Sequence, residues 1–256
     1  MTALCLLAAC APTPQITRTP ARLRVAEAAD QAAVLDRMGK AYMQNHEWVT
    51  VNTTSAAPQE VVQQVRSGQL DAAIVHGEPD PRAGVWVSGL AYDPIAIIVN
   101  PANPIQEVTL AQLSDLFQGR TFDWVPFGGT GEVIPVSREA EAYSRQLFEE
   151  RVMQTRAVTR NAVLKSSAAD VVDFVASTPG AIGYVPLSQV DERVKAIRVA
   201  GVAPTAETAN GKYLLAAPLY LIARQEPLGD LREFAAWLLG NPGQTLLSQS
   251  GLGRVK

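Results

Sequence analysis

The sequence predicts an α/β fold in which short buried strands alternate with amphipathic helices. Two observations carry this. Short apolar runs and segments of helical periodicity take turns along the chain, the pattern of parallel sheets with helices on both faces. The 256 residues are 47% hydrophobic and 18% charged, which supplies an ample core and excludes a disordered chain. A formal net charge of -3 gives no basic footprint for nucleic acid, so such a partner is not expected.

In chain order, Leu23–Ala26 reads as a strand leading into a helix from Ala32 to Gln44. Trp48–Asn52 then leads into a helix from Pro58 to Ser67, and Ala72–Val75 into a loop. The stretch Asp93–Trp124, DPIAIIVNPANPIQEVTLAQLSDLFQGRTFDW, is the most explicit. Ile95–Val99 is a continuous apolar run closed by Asn100-Pro101, as expected of a strand buried on both faces and followed by a turn. A helix comes next. Thr109 and Gln112 have capping-box spacing, Leu110, Leu113, Leu116 and Phe117 share a face, and Gly119 stands where a left-handed C-terminal cap belongs. Gly128-Gly129-Thr130-Gly131 lacks the Lys-Ser/Thr of a phosphate loop and reads as a turn. Arg151, Arg156, Arg160 and Lys165, irregularly spaced, read as a solvated helix face.

The strand DPIAIIVNPANP, the helix TLAQLSDLFQGR and the Phe-Asp-Trp after them resemble the phosphate-type (type 2) periplasmic solute-binding proteins of ABC importers. The likeness continues through Ile134–Glu139 and the LFEERV helix, Thr178–Leu187, Gly201–Thr205, Ala217–Ala223 and the terminal NPGQTLLSQSGL. It covers most of residues 22–256. The resemblance implies a two-lobed fold of mostly parallel sheets flanked by helices, with two hinge strands. Lobe 1 is then residues 22–100 plus 213–256 and lobe 2 residues 101–212. Ligands in such folds bind beyond the carboxyl ends of strands, where helix N-termini present unpaired amides, here the cleft between lobes.

Four segments are expected to line that cleft: Ala26–Asp30, Thr53–Pro58, Val75–Asp80 and Ser137–Arg145. Arg138 matches the family's anion-binding arginine. Where the family carries Gly-Ser-Gly-Thr, this chain has Glu141, Ala142, Tyr143 and Ser144: a hydroxyl is lost, a glycine becomes aromatic and a carboxylate arrives. Glu27 and Asp30, flanking Ala28, replace the hydroxyl or glycine residues of the first segment. The second keeps Thr53, Thr54 and Ser55 without glycines, and the third offers His76, Glu78 and Asp80. The candidate ligand-binding residues are therefore Glu27, Ala28, Thr54, Ser55, His76, Arg138, Glu141, Tyr143 and Ser144. Most have a structural alternative. Glu27, Asp30 and Glu141 suit helix N-termini, Ser55 and Ser144 are ordinary N-caps, Tyr143 packs, and Arg138 forms a surface ion pair with Glu139 or Glu141. A carboxylate about 5 Å from a bound phosphate charge costs about 3 kcal/mol at an effective dielectric near 20. Two or more inward acids would then defeat tight phosphate binding, although Arg138 and Arg145 each offset one.

Both cysteines, Cys5 and Cys10, lie in the first ten residues. After the short apolar stretch Ala3–Ala9, Leu7-Ala8-Ala9-Cys10 resembles a bacterial lipobox, so Cys10 is the expected lipidation site. Residues 1–21 then form signal and tether, the latter extended by Pro12, Pro14 and Pro20. The n-region has no Lys or Arg, which leaves a truncated start or an accidental match open. No stretch approaches the roughly 20 apolar residues of a bilayer span. His46, near a helix end, is expected to be exposed, and His76 with Glu78 and Asp80 matches no metal-ligand spacing. The reading is a monomeric, extracytoplasmic, lipid-anchored solute-binding protein of an ABC-type importer. It performs no covalent chemistry, uses no metal or cofactor, takes phosphate or a related oxyanion by default and docks on permease transmembrane subunits. The alternative is a ligand-sensing or scaffold protein of the same fold that has lost phosphate transport.

Overall fold

A computed structural model of the chain describes residues 18–28 and 32–255. The segments read as a lipobox at Cys10 and as a tether, up to residue 17, and Asp30 lie outside the described residues. The first half comprises β1 (Ala21–Ala28), α1 (Ala32–Met43), β2 (Val49–Ala56), α2 (Pro58–Ser67), β3 (Ala72–His76) and β4 (Trp86–Val99). Then come β5 (Glu107–Val108), α3 (Leu110–Gln118), β6 (Ile134–Arg138), α4 (Tyr143–Phe148), β7 (Val163–Lys165), α5 (Ala168–Ser177), β8 (Ala181–Pro186) and β9 (Lys195–Val199). The chain closes with α6 (Ala206–Ala209), β10 (Ala216–Ala223), α7 (Gly229–Leu239), α8 (Asn241–Gln249) and β11 (Gly253–Arg254).

The strands follow the order β2-β1-β3-β10-β4-β8-β6-β7. The flanks are parallel, β2-β1-β3 on one side and β8-β6-β7 on the other. The centre is antiparallel, because β10 returns between β3 and β4 and β4 pairs antiparallel with β8. The expected parallel pairing therefore describes the flanks and not the middle. Strand β4 is the reason. Its 14 residues, at about 3.3 Å each, are long enough to serve two sheets. Trp86 to Pro94 pair with β10, and Ile95 to Val99 with β8. At the crossing the Ile95 amide donates to the Leu215 carbonyl at 2.9 Å, so the chain passes between the halves twice.

Each half buries both faces of its sheet. In the first, Leu23, Val25, Ile74 and Leu221 pack toward α1 and Phe234 of α7, while Ala26, Ala73 and Ile222 pack toward Val61 and Val65 of α2. In the second, Ile95, Ile97 and Val99 face Phe117 and Phe148, and Ala96 and Ile98 face Val171 and Val175 of α5. The apolar run Ile95–Val99 is continuous because both of its faces are covered.

Local signals behave as their chemistry requires. The Gln112 amide donates to Thr109 Oγ1 at 3.2 Å and the Thr109 amide to Gln112 Oε1 at 2.8 Å, while Gly119 closes α3 at φ 74°. Gly128–Gly131 is a turn region, with Gly129 pressed under the buried Trp124. Three expectations need correction. Thr53–Ala56 continue β2, which a parallel ladder with β1 extends beyond Asn52. His46 is half-buried, its ring stacked on Tyr42 at 3.8 Å. The basic residues share no helix face: Arg156 and Arg160 lie in irregular chain after the helical turn that holds Arg151, and Lys165 ends β7.

Candidate functional site

The carboxyl ends of β1 and β3 meet the carboxyl end of β6 and the start of α4 where β4 crosses between the halves. On the first wall, β-register decides which side chains look the same way. Glu27 pairs with Ile74, and Val25 and Ile74 face the α1 core. Residues two apart share a face, so Glu27, His76 and, two beyond Ala91, Asp93 all stand on that face. Glu27 and Asp93 are buried, Asp93 with no exposed surface. His76 Nε2 lies 2.8 Å from Asp93 Oδ2. Ala28 ends β1. Ser55 sits beside Glu27 in the ladder and Thr54 beside Ala26 on the opposite face; both hydroxyl residues are exposed, and only Ser55 shares the face of Glu27.

The second wall is built from β6 and the loop after it. Ser137 and Arg138 point to opposite faces, as neighbours on a strand must. Ser137 Oγ shares a 2.7 Å hydrogen bond with Tyr184 Oη, and Tyr184 stacks on Phe148 at 4.3 Å. Burial pushes the Tyr184 hydroxyl pKa up, although the Ser137 hydrogen bond pulls against it. The Arg138 side chain is 3% exposed. Its Nε donates to Glu139 Oε2 at 2.9 Å and its Nη2 to Glu139 Oε1 at 2.7 Å. Burial pushes the Glu139 carboxyl up, but the Arg138 hydrogen bonds and the positive charges of Arg138 and Arg145 outweigh it and hold the pKa below the usual carboxylate range. The structural alternative for Arg138, a surface ion pair with Glu139 or Glu141, is half right: Glu139 is a partner, and the guanidinium is buried.

Arg145 ties the loop to the strand, donating from Nη1 to the Arg138 carbonyl at 2.8 Å while Nε reaches Glu149 at 2.8 Å. Ser144 is fully buried, and its Oγ has no hydrogen-bond partner among the described residues. Glu141 is exposed. Tyr143, the first residue of α4, stacks on His76 with ring centroids 3.3 Å apart and planes at 17°.

The geometry therefore joins His76 with Tyr143 and keeps Arg138 and Ser144 buried on the second wall. It leaves Thr54, Ser55 and Glu141 exposed. In the third segment Glu78 is exposed and Asp80 accepts from the Arg82 amide at 2.8 Å. No group of three or more potential metal ligands occurs among the described residues. Sequence reasoning did not place Asp93 in the site. The available signal was an acid at the head of an apolar run, where a buried charge needs a partner; His76 is that partner.

A family model described as the PBP superfamily domain matches residues 14–242. The chain belongs to the PBP superfamily. Among the relatives of this PBP-superfamily chain is the phosphate-binding protein PstS of Bacillus subtilis (strain 168), 27% identical over 167 residues, or 62% of this chain and 55% of the relative. With 52% of a Staphylococcus epidermidis PstS also matched, the chain spans about half the length of these curated relatives. A substrate-binding protein of Clostridium perfringens, solved with bound phosphate, superposes with a TM-score of 0.79 at 24% identity. That match covers 92% of this chain and all of the other. The regulatory domain of CcmR from Synechocystis, solved with 2-PG, has a TM-score of 0.61 at 13% identity, over 85% of this chain and 95% of that one. Both likenesses establish the two-lobed type 2 fold.

Proposed function

We propose that this protein is the solute-binding component of an ABC-type importer, with an oxyanion of the phosphate class as its default ligand. One observation carries the reading: a buried arginine, Arg138, at the carboxyl end of β6 where the halves meet. The relatives named for phosphate binding supply the ligand class. The lobes are residues 22–100 plus 213–256 and residues 101–212, moving about β4 and the segment before β10. Arg138 and Ser144 hold the anion, while Glu27, Ala28, Ser55, Thr54, Glu141, Tyr143 and His76 border it. The protein works outside the cytoplasm as a monomer, lipid-anchored at Cys10, delivers solute to permease transmembrane subunits and catalyses nothing. Ligand that touches both lobes only when they close stabilises the closed form, which the permease reads.

A second reading has support of its own. Glu139 neutralises Arg138 through two hydrogen bonds and Tyr143 covers His76, with Glu27 and Asp93 buried close by. These features favour a sensor or scaffold that has lost phosphate transport. Thermal-shift titration of the full chain separates the two. Phosphate at 1,000 times its dissociation constant adds about 4 kcal/mol, a rise in Tm on the order of 10 °C for a chain of this size. A shift with phosphate supports the importer. A panel of oxyanions, amino acids and sugars without any shift, phosphate included, overturns it in favour of the sensor.

A further inference from the structure

We propose that Tyr143, His76 and Asp93 form a clasp across the hinge that closes the cleft with the chain's own side chains. The closed form is then populated without a solute, and a solute must compete with the Tyr143 ring for the face of His76.

The three residues belong to three elements on different sides of the crossing. Asp93 lies on β4 one residue before Pro94, the last to pair with β10, and its side chain is fully buried. It holds His76, the end of β3, through the 2.8 Å contact to Nε2. His76 has a side-chain exposure of only 9%, so its ring is confined on one edge by Asp93 and covered on one face by Tyr143. Tyr143 moves with the second half. The Ala142 amide donates to the Glu139 carbonyl at 3.1 Å, Arg145 bridges back to the Arg138 carbonyl, and the Tyr143 ring packs against the core of Ile95, Phe117 and Phe148. Separating the halves therefore requires the Tyr143 and His76 rings, stacked face to face, to part and both faces to be hydrated, against the gain from the apolar area they bury between them.

In a solute-driven closure, the ligand supplies the contacts that exist only in the closed state. Here a tyrosine and a histidine supply contacts of that kind. The equilibrium between open and closed forms is thereby biased before solute arrives, and apparent affinity falls for any ligand that must occupy the same face. The proposal does not depend on which solute the cleft takes.

The test uses the full chain with Cys5→Ser and Cys10→Ser, which leaves no native cysteine. Spin labels go at Gln63→Cys on α2 and Ala169→Cys on α5, both exposed, and the distance between them is read by pulsed electron resonance in dialysed, phosphate-free buffer. The expected result is one narrow, short-distance population in the parent and in Tyr143→Phe, which keeps the stack. Tyr143→Leu and His76→Gln, which remove it from either side, should give a longer and broader distribution while circular dichroism stays native. Two variants on opposite sides of the contact guard against one that folds poorly. A broad, long distribution in the parent overturns the clasp. So does a short distance unchanged in both Tyr143→Leu and His76→Gln, since that closure would come from something other than the stack.

Discussion

Both walls of the cleft bury ionisable side chains, and they place the partners of those side chains by different means. On the sheet formed by β1, β3 and the start of β4, Glu27 and Asp93 are buried acids placed by strand register, and Asp93 finds its partner, His76, from a different strand. On the wall formed by β6 and α4, Arg138 is a buried base answered by the next residue in sequence, Glu139. A charge paired with a sequence neighbour stays paired when the halves move apart. The His76–Asp93 contact, by contrast, is joined to the other wall through Tyr143. The Arg138–Glu139 pair thus lies within the second wall, whereas the first wall is joined to the second through the Tyr143–His76 stack.

The largest expected effects test whether the halves are as interdependent as the shared β4 implies. Phe148→Ala, in the second core, and Phe234→Ala, in the first, should each cost about 3–5 kcal/mol in urea denaturation. Because β4 runs through both sheets, one cooperative transition with an unchanged slope is expected in each case; two separated transitions would show that the halves unfold independently.

Next in size is the charge on the second wall. Glu139→Gln should tighten phosphate binding about 10- to 100-fold in calorimetric titration, equivalent to about 1.4–2.8 kcal/mol, and adding Arg138→Ala should abolish the gain. Unchanged affinity in Glu139→Gln would remove this wall from the anion site.

A smaller effect compares helix starts. Helix α3 has a reciprocal capping box, whereas α4 opens at Ala142 with no side-chain cap. Thr109→Ala should lower stability by about 1 kcal/mol, read as a shift in the urea midpoint.

The smallest effect sets an exposed pair beside the buried one. Arg24 grips Asp71 through Nε and Nη2 in the first half. Burial raises the Asp71 pKa, but hydrogen bonds from Arg24 outweigh it and the carboxyl titrates below its ordinary range. A depressed pKa gives stability that is present above the unfolded value and lost as pH falls through the folded one. Asp71→Asn should therefore leave a melting curve less sensitive to pH below about pH 4, with only a slight change at neutrality. Equal acid sensitivity in variant and parent would show that the pair contributes nothing.

Much of the scaffold was legible because its causes are local. Thr109 and Gln112 cap α3 as their spacing requires, Gly119 takes the left-handed cap, and α2 spans Pro58–Ser67 as its pattern indicates. Ile95–Val99 is buried on both faces. Strand lengths were less legible. Thr53, Thr54 and Ser55 look like loop residues by composition, yet β1 offers eight consecutive partners and draws β2 out to Ala56. The site was legible in its parts and not in its pairing. Arg138, Tyr143 and His76 could be nominated one at a time, whereas nothing within a few residues of His76 announces Asp93 or Tyr143.

The sequence by itself determined the alternation of strands and helices, the caps that bound them, the apolar faces that become the core and the membership of the fold. Each of these depends on residues a few positions apart. Only the tertiary structure decided that Asp93 is buried beside His76, that Tyr143 covers the His76 ring and that Glu139, rather than Glu141, holds Arg138. The physical reason is that a charge or a ring is assigned its role by what surrounds it in space. Across a hinge those surroundings come from segments as far apart as β3 and α4, and no local pattern encodes their meeting.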